Sequence, residues 1–275
     1  MTARLALEGV RKEFTVPRTG ASVLAVDNAS LVIEPGEFLC IVGPSGCGKT
    51  TILNMLAGLE MPSAGRLTMD QGPIEGPSVE RGVVFQDYAL FPWKTVFENV
   101  EFGLRYGPRG KGMSAEERRR RAQACIELVK LNGSEQKYPH ELSGGMRQRC
   151  AFARLLATEP EVLLMDEPFA ALDAQTRVIL QSELLRIWGE ERPASSRRTA
   201  VFITHAIDEA VFLSDRVVVM SAHPGKITEI IDVGLDRPRR EEVRATAEFQ
   251  GLVQQIWQLI RDQVYHAAIV GDPVA

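Results

Sequence analysis

Gly43-Pro-Ser-Gly-Cys-Gly-Lys-Thr50 is the stretch on which the reading of this 275-residue chain turns. It fits the spacing G-x-x-x-x-G-K-[ST] at every position. An apolar run, Phe38 to Val42, precedes it, and a helical pattern, Thr51-Ile-Leu-Asn-Met-Leu-Ala57, follows. Strand, glycine-rich loop and helix start are the context in which this spacing has a physical meaning. Glycines let the backbone wrap closely, so that successive N–H groups converge on an anion. The helix N-terminus adds the positive end of its dipole. The Lys49 ammonium can reach the β- and γ-phosphates of a nucleotide, and the Thr50 hydroxyl can bind Mg²⁺. Gly43, Pro44, Ser45, Gly46, Cys47, Gly48, Lys49, Thr50 and Thr51 are therefore candidate nucleotide contacts. Cys47 lies inside the loop, where its expected part is a backbone donor, not a thiol reagent.

The next feature outward is Val162-Leu-Leu-Met-Asp166-Glu167, an apolar run that ends in two carboxylates. Asp166, at the strand's end, can hold the Mg²⁺ shell, and Glu167 can take a proton from an attacking water. Acidic residues often end strands, so the pair gains meaning from the phosphate loop. Together the two elements specify a P-loop NTPase without saying which kind.

The rest of the chain alternates short β-branched runs with longer helical patterns. Strands are expected at Phe38 to Val42, Gly82 to Phe85, Val162 to Met165, Ala200 to Thr204 and Arg216 to Met220. Runs apolar throughout mark strands buried on both faces, and alternation with helices marks a mainly parallel sheet. The pattern changes between Leu90 and Pro160. Ser114 and Glu117 form a capping-box signature before a helix through Leu131, and a second helix follows Ser143. This stretch, about residues 90–160, reads as an all-helical insertion. Ala222 to Pro238 reads as a strand-and-turn excursion. Phe249, Leu252, Val253, Ile256, Trp257 and Ile260 then recur at helical spacing, which predicts a last helix packed on the core. The expected organisation is α/β, with an ATPase domain over 1–240 and a helical extension over 241–275.

Composition narrows the function classes. A chain that is 45% hydrophobic and 25% charged has enough apolar content for a sizeable core. At about 150 residues per domain, its length allows one large domain or two small ones. A net charge of −4 argues against a nucleic-acid partner, which needs a basic face. The clusters Arg118–Arg121 and Arg237–Arg240 are expected to be a solvated helix face and a solvated tail. Cys40, Cys47, Cys125 and Cys150 form no CxxC pair, so neither a zinc site nor a disulfide framework is expected, and a reducing compartment fits. The N-terminus shows no signal-peptide pattern. No apolar run approaches the ~20 residues of a membrane span, so membrane association is expected to come through a partner.

Leu142-Ser-Gly-Gly-Met146, followed by Arg147-Gln-Arg-Cys-Ala-Phe-Ala-Arg154, selects among the P-loop families. Here the sequence resembles the ABC ATPases, whose LSGGQ signature and basic helix stand shortly before the second carboxylate motif. Further resemblances follow along nearly the whole chain. Gln86 stands where the family has its Q-loop, Ala171-Leu-Asp173 where it has its D-loop, and His205 where it has its H-loop histidine. Phe14 stands where the family places an aromatic against adenine. The resemblance implies an ABC-type fold, with a β-rich N-terminal part beside the mainly parallel core. It implies two ATP molecules with Mg²⁺, sandwiched in a head-to-tail dimer of two copies. Ser143, Gly144 and Gly145 would then complete the partner's site, with Ser143 and Gly145 at its γ-phosphate; anion binding by a serine hydroxyl and glycine amides at a helix start is physically sound. Glu167 would be the base, His205 would hold the γ-phosphate and water, and Gln86 would contact Mg²⁺ and water. Met146 replaces the usual Gln while the phosphate-facing residues are intact, so activity is expected to survive.

Tyr88-Ala-Leu-Phe-Pro-Trp93 gathers aromatics in a loop, which marks either local core or an interaction patch. This form, with Asp166-Glu-Pro-Phe-Ala-Ala-Leu-Asp-Ala-Gln-Thr-Arg177, is similar to the nitrate, sulfonate and taurine branch of ABC importers. In that family the region receives a helix of the permease. The resemblance implies an ATPase at the cytoplasmic face of the inner membrane, bound peripherally to integral permease subunits. A periplasmic or extracellular solute-binding protein would be only an indirect partner. Two alternatives fit the chain less well. Repair-type ABC ATPases need a long coiled coil, and translation-type ones need two cassettes; this chain has neither. A dead cassette used only for binding conflicts with intact Lys49, Glu167 and His205.

Overall fold

The computed structural model describes residues 3–17, 20–170 and 172–270. In chain order the elements are β1 (Leu5–Thr15), β2 (Ser22–Ile33), β3 (Phe38–Val42), α1 (Lys49–Ala57), β4 (Ala64–Met69), β5 (Gly72–Pro73), β6 (Arg81–Val84), α2 (Val96–Tyr106), α3 (Ala115–Leu128), α4 (Gly144–Ala157), β7 (Val162–Asp166), α5 (Ala174–Trp188), β8 (Thr199–Ile203), α6 (Ile207–Leu213), β9 (Arg216–Met220), β10 (Ile227–Asp232) and α7 (Ala247–Val270). An antiparallel sheet of order β2-β1-β4-β5 carries the N-terminal part. The central sheet has the order β10-β9-β3-β8-β7-β6 and is parallel except for the edge strand β10. Strand limits differ by a residue from those expected at β6, β7 and β8, which is within the usual fraying of element ends.

The strands β3, β7 and β8 are buried along their whole length. Their alternate residues feed two different cores, as a side-chain period of two requires. Phe38, Cys40, Val42, Leu163, Met165, Ala200 and Phe202 face the core that holds α4, α5 and α6. Leu39, Ile41, Val162, Leu164, Val201 and Ile203 face the core shared by α1 and the antiparallel sheet. The helix of the phosphate loop and the helix of the Leu142–Met146 motif therefore lie on opposite faces of the sheet.

The region 90–160 is helical, with α2, α3 and α4 packed on one another. Ser114 caps α3 by accepting from the Glu117 N–H at 3.1 Å. The complete two-way box belongs instead to Thr95 and Glu98 at α2, with bonds of 3.2 and 2.9 Å. Helix α3 stops at Leu128, short of the expected Leu131. Lys130 adopts φ 56°, and the Lys130 and Leu131 N–H groups donate back to Glu127 and Ile126. That is a Schellman stop, here made without glycine.

Helix α7 packs on α6 and β9. Phe249 and Ile256 are buried, and Leu252, Val253 and Ile260 pack beside them. Trp257 departs from the expected core position and is 52% exposed, with the Arg261 guanidinium 5.0 Å from its ring. One step along a helix turns ~100°, so with Ile256 inward its neighbour points outward. In the Arg237–Arg240 cluster Arg240 is exposed as expected, but Arg237 and Arg239 depart from the expected solvated tail. Arg239 is 5% exposed and its guanidinium donates to the carbonyls of Val211, Phe212 and Ser214 at the end of α6. Arg237 bonds Asp215 at 2.8 Å and Glu190 at 3.0 Å, and lies 4.5 Å over the Trp188 ring. Arg119 and Arg120 do face solvent, while Arg118 and Arg121 are half-buried. Among the described residues, no helix is long and apolar enough to cross a membrane.

Arg237→Met would strand the buried Glu190 carboxylate, leaving it the Arg239 N–H at 2.8 Å. Breaking one side of such a pair costs about 3–5 kcal/mol. Chemical denaturation followed by circular dichroism should show a loss of that size; a loss below about 1 kcal/mol would place the pair in the solvent-screened class.

Candidate active site

The parallel strands end at one edge of the sheet, and the sequence motifs begin where they end. Ile41, Ile203 and Asp166 are in register across β3, β8 and β7, and Val84 of β6 pairs with Met165. With neighbouring strands about 4.8 Å apart, the residues just beyond form a row: the phosphate loop after β3, Thr204 and His205 after β8, Glu167 after β7, and Gln86 two residues past β6. Ligand sites in such sheets lie outside the carboxyl ends of the strands.

The phosphate loop is built by close backbone approach. A Cβ on Gly43 would meet the Met220 carbonyl at 2.8 Å, and one on Gly48 would meet the Ala25 carbonyl at 2.8 Å. Gly46 and Gly48 take φ of 74° and 87°, the left-handed region that glycine occupies without strain. Gly48 starts α1 with no side-chain cap, and the first turn carries no acid. The free N–H groups of that turn suit an anion. Lys49 is 7% exposed and its ammonium donates to the Gly43 and Pro44 carbonyls, both at 2.9 Å. Burial raises the Cys47 thiol's pKa, which disfavours a thiolate. Thr50 hydrogen-bonds the Asp166 side chain.

Asp166 is 8% exposed, and its pKa is raised, first by burial and then by the neighbouring Glu167 charge, against the Thr50 bond. Glu167 sits at φ 43°, a left-handed value that is costly for a residue with a side chain. Its N–H donates to Ile203 at 3.0 Å, and its Oε2 lies 3.2 Å from His205 Nδ1. The turn that carries His205 is fixed from below. Thr204 donates to the buried Glu209 carboxylate, which also accepts from Gln181 at 2.8 Å, and the Ala206 N–H returns to Thr204 at 3.0 Å. Gln86 is exposed in the turn that follows β6.

Phe14 is 38% exposed, with the Lys12 ammonium 4.8 Å from its ring. It is not a core aromatic. It pairs with Val23 on β2, the strand whose Ala25 and Val26 abut Gly48. Ser143 caps α4, accepting from the Met146 N–H at 3.3 Å, and stands exposed with Gly144 and Gly145 in the first turn behind it. A Cβ on Gly145 would press on Thr176 of α5 at 3.0 Å. Asp173 caps α5, accepting from the Thr176 N–H at 2.9 Å, and this bond lowers its pKa. Ala171 of the same motif lies outside the described residues.

The structure thus gathers Gly43–Thr51, Gln86, Asp166, Glu167 and His205 at one edge, leaves Phe14 half-exposed on β1, and places Ser143, Gly144 and Gly145 on α4 across the sheet. The strand-and-turn excursion expected over Ala222 to Pro238 is present, but sequence reasoning missed that its turn, Ser221–Lys226, packs on the phosphate loop. The His223 Nε2 would be 3.1 Å from a Cβ on Gly46, and Gly225 is bridged to Val26 of β2. Pro224-Gly225 signals a turn, but no local pattern says which loop that turn packs on.

Mg²⁺ suits the donors present. It uses hard oxygen ligands, commonly one or two carboxylates with substrate phosphates and water, and Thr50 and Asp166 already approach each other. Among the described residues, no three His, Cys, Asp or Glu side chains form a metal cluster, so phosphate and water would complete the shell.

A raised carboxylate pKa means that Asp166 favours the folded state below its ordinary range and loses that contribution as pH rises through its raised folded value. Asp166→Asn should therefore unfold at a higher temperature than the parent at pH 7, with the gap closing toward about pH 4. Differential scanning fluorimetry across pH checks this; a lower midpoint at pH 7 would contradict the desolvation argument.

Residues 26–170 match the ABC transporter family. The chain is 49% identical over 264 residues to an ABC transporter ATP-binding protein of Methanocaldococcus jannaschii, across 96% of this chain and 94% of that one. It is 44% identical over 242 residues to the nitrate import ATP-binding protein NrtD of Synechococcus elongatus, across 88% of this chain and 85% of that one. Its fold superimposes on a dimeric ATP-binding cassette solved in a post-hydrolysis state with ADP and Pi, with TM-score 0.73 and 32% identity, covering 84% of this chain and all of that one. With its phosphate loop, its paired carboxylates and its signature helix in place, the chain belongs to the ABC transporter family of ATP-binding proteins and is an ATPase.

Proposed function

We propose that this chain is the subunit that powers import of a small anion of the nitrate, sulfonate or taurine type through a separate permease, by ATP-driven closure of two copies. One observation carries the reading: α1 and α4 occupy opposite faces of the central sheet. A single chain cannot bring Ser143–Gly145 to its own phosphate loop. A second copy, turned head to tail, supplies them, and the cassette of similar fold is dimeric. The import assignment draws on the nitrate import relative; the solute itself would not touch this subunit.

In the closed pair, Lys49 and the N–H groups of the loop hold the phosphates, and Phe14 stacks on the base. Thr50, Asp166 and Gln86 would hold Mg²⁺, which when bound would offset negative charge on the phosphate oxygens. The Glu167 carboxylate takes the proton of the attacking water. His205, at hydrogen-bond distance from Glu167, holds it in place and reaches the γ-phosphate. Asp173 stands at the same edge, at the start of α5. Residues 1–240 form the ATPase unit, with 90–160 as its helical part, and 241–275 are an extension against α6; residues 271–275 lie outside the described part.

The permease-facing surface is the aromatic cluster at α2. Phe91 and Phe102 have ring centroids 4.5 Å apart, Trp93 lies 5.8 Å from Phe91, and Tyr106 lies 5.0 Å from Phe102. Trp93 is 70% exposed and Tyr106 64%. Two large exposed rings on one patch mark an interaction site. Docking there holds the subunit peripherally at the cytoplasmic face of the membrane.

Glu167→Gln keeps the shape of the side chain and removes the base. ATP affinity should persist, turnover should fall by about 10²- to 10⁴-fold, and dimers should accumulate with Mg-ATP. Turnover near the parent rate would remove Glu167 from the mechanism. Trp93→Ala should lower transport by the assembled complex and leave the ATP affinity of the isolated chain unchanged. Equal loss of both would assign the ring to the fold.

A further inference from the structure

The segment between Gln86 and the aromatic patch is held in an unusual way. Tyr88 and Ala89 are consecutive non-glycine residues in the left-handed region, at φ 63° and 44°. Such conformations persist where the surroundings impose them. Here the restraint comes from the signature helix. The Arg154 guanidinium, on α4, donates to the Tyr88 carbonyl at 3.0 Å and to the Ala89 carbonyl at 2.6 Å, and lies 5.7 Å from the Phe91 ring. One planar fork thus reads two successive carbonyls, a geometry that lysine does not reproduce. The guanidinium is half-buried, and burial lowers its pKa, with Asp87 opposing. On its far side the loop is tied to α2. Asn99 is fully buried, accepts from the Phe91 N–H at 2.9 Å and donates to the Phe91 and Lys94 carbonyls at 3.2 and 3.0 Å.

Among the described residues, one polar group on the turn and one on α4 have no hydrogen-bond partner. The Tyr88 hydroxyl and both amide atoms of Gln148, one helical turn and a half before Arg154, are buried without a hydrogen bond. Buried orphans are rare and each calls for an explanation. Strained backbone in the turn, held by one guanidinium of α4, describes a joint whose conformation depends on that side chain.

We propose that Arg154 is a positioning residue, which ties the Tyr88–Ala89 turn to the signature helix so that movement of Ser143–Gly145 toward a partner's nucleotide is carried to Gln86 on one side and to Phe91 and Trp93 on the other. The inference rests on the ATP-driven dimer proposed above. It adds the residue through which the two surfaces move together. The link runs along one helix: Ser143 caps α4, Arg154 lies in its last turn, and the turn it holds is flanked by Gln86 and Phe91. Asn99 then acts as the fixed end, so that motion of α4 relative to α2 strains the loop between them.

The test is hydrogen–deuterium exchange of the full chain with and without Mg-ATP, in a Glu167→Gln background that prevents hydrolysis, with ATP affinity and dimer fraction measured on the same samples. The Glu167→Gln chain should dimerise with ATP and change its exchange over residues 87–93. Adding Arg154→Met should leave ATP affinity within about twofold, since no nucleotide contact is lost, and should abolish the ATP-dependent change at 87–93. In the chain with Glu167 intact, Arg154→Met should lower kcat and leave KM for ATP nearly unchanged. Arg154→Lys keeps the charge without the fork and should retain a smaller ATP-dependent change than the parent; it also serves where the Met variant folds poorly. An ATP-dependent change as large as the parent's in both Arg154 variants would overturn the inference and leave the dimer reading standing. Absence of ATP-induced dimers in the Glu167→Gln chain would overturn both.

Discussion

The strand Phe38–Val42 has no polar side chain and must be covered on both faces. That requirement organises the rest of the molecule. Its even-numbered residues need one layer of helices and its odd-numbered residues another, so the sheet acquires two cores. Flanking strands that are equally apolar join it in parallel, and parallel strands need crossovers that return on one face or the other. Because the strands run the same way, their carboxyl ends arrive at one edge. The loop that follows the central strand has neighbours on both sides to pack against, and the glycines let it approach Met220 and Ala25 within van der Waals reach. A buried strand thereby fixes where phosphate binds.

The same arrangement separates the phosphate loop from the Leu142–Met146 motif. Helix α1 leaves the edge on one face, and α4 belongs to the other. The structure spends stability on this edge: a desolvated aspartate, a glutamate in the left-handed region, and a lysine ammonium satisfied by loop carbonyls. Groups held this way are costly in the fold and suited to charge that arrives with a ligand. Their support is deeper. The Thr204–Glu209–Gln181 bonds hold the histidine turn, and the Arg237–Glu190–Asp215 group holds the far end of the sheet beside Trp188.

Much of the fold was legible in local pattern. The apolar runs gave five strands to within a residue, because strands buried on both faces leave no ambiguity of side. The helical insertion and its Ser114 cap followed from periodicity and hydrogen-bonding chemistry. The errors share a cause. Trp257 was placed inward because an apolar stripe read from sequence has no sharp edge; one residue past Ile256 the helix has already turned away. The Arg237–Arg240 cluster was read as solvated because a run of charge is usually solvated. Its burial depends on Glu190, Asp215 and the end of α6, none of them neighbours in sequence. Helix α3 ended early because Lys130 accepted a conformation that sequence reserves for glycine.

By itself the sequence determined the chemistry at each motif. G-x-x-x-x-G-K-[ST] after an apolar strand makes an anion cradle by local geometry, and Asp166-Glu167 puts two carboxylates at a strand's end. These are properties of short segments, and the chain carries them wherever it folds. Only the tertiary structure decided which segments meet. It set Glu167 against His205 across two strands, laid the Ser221–Lys226 turn on Gly46 and Cys47, and bound Arg154 to the Tyr88–Ala89 carbonyls. Each of these contacts joins residues far apart in the chain, and its geometry is set by sheet order and by which face of the sheet a helix covers. Those are decided by burying all the apolar surfaces at once, a condition that no single segment contains.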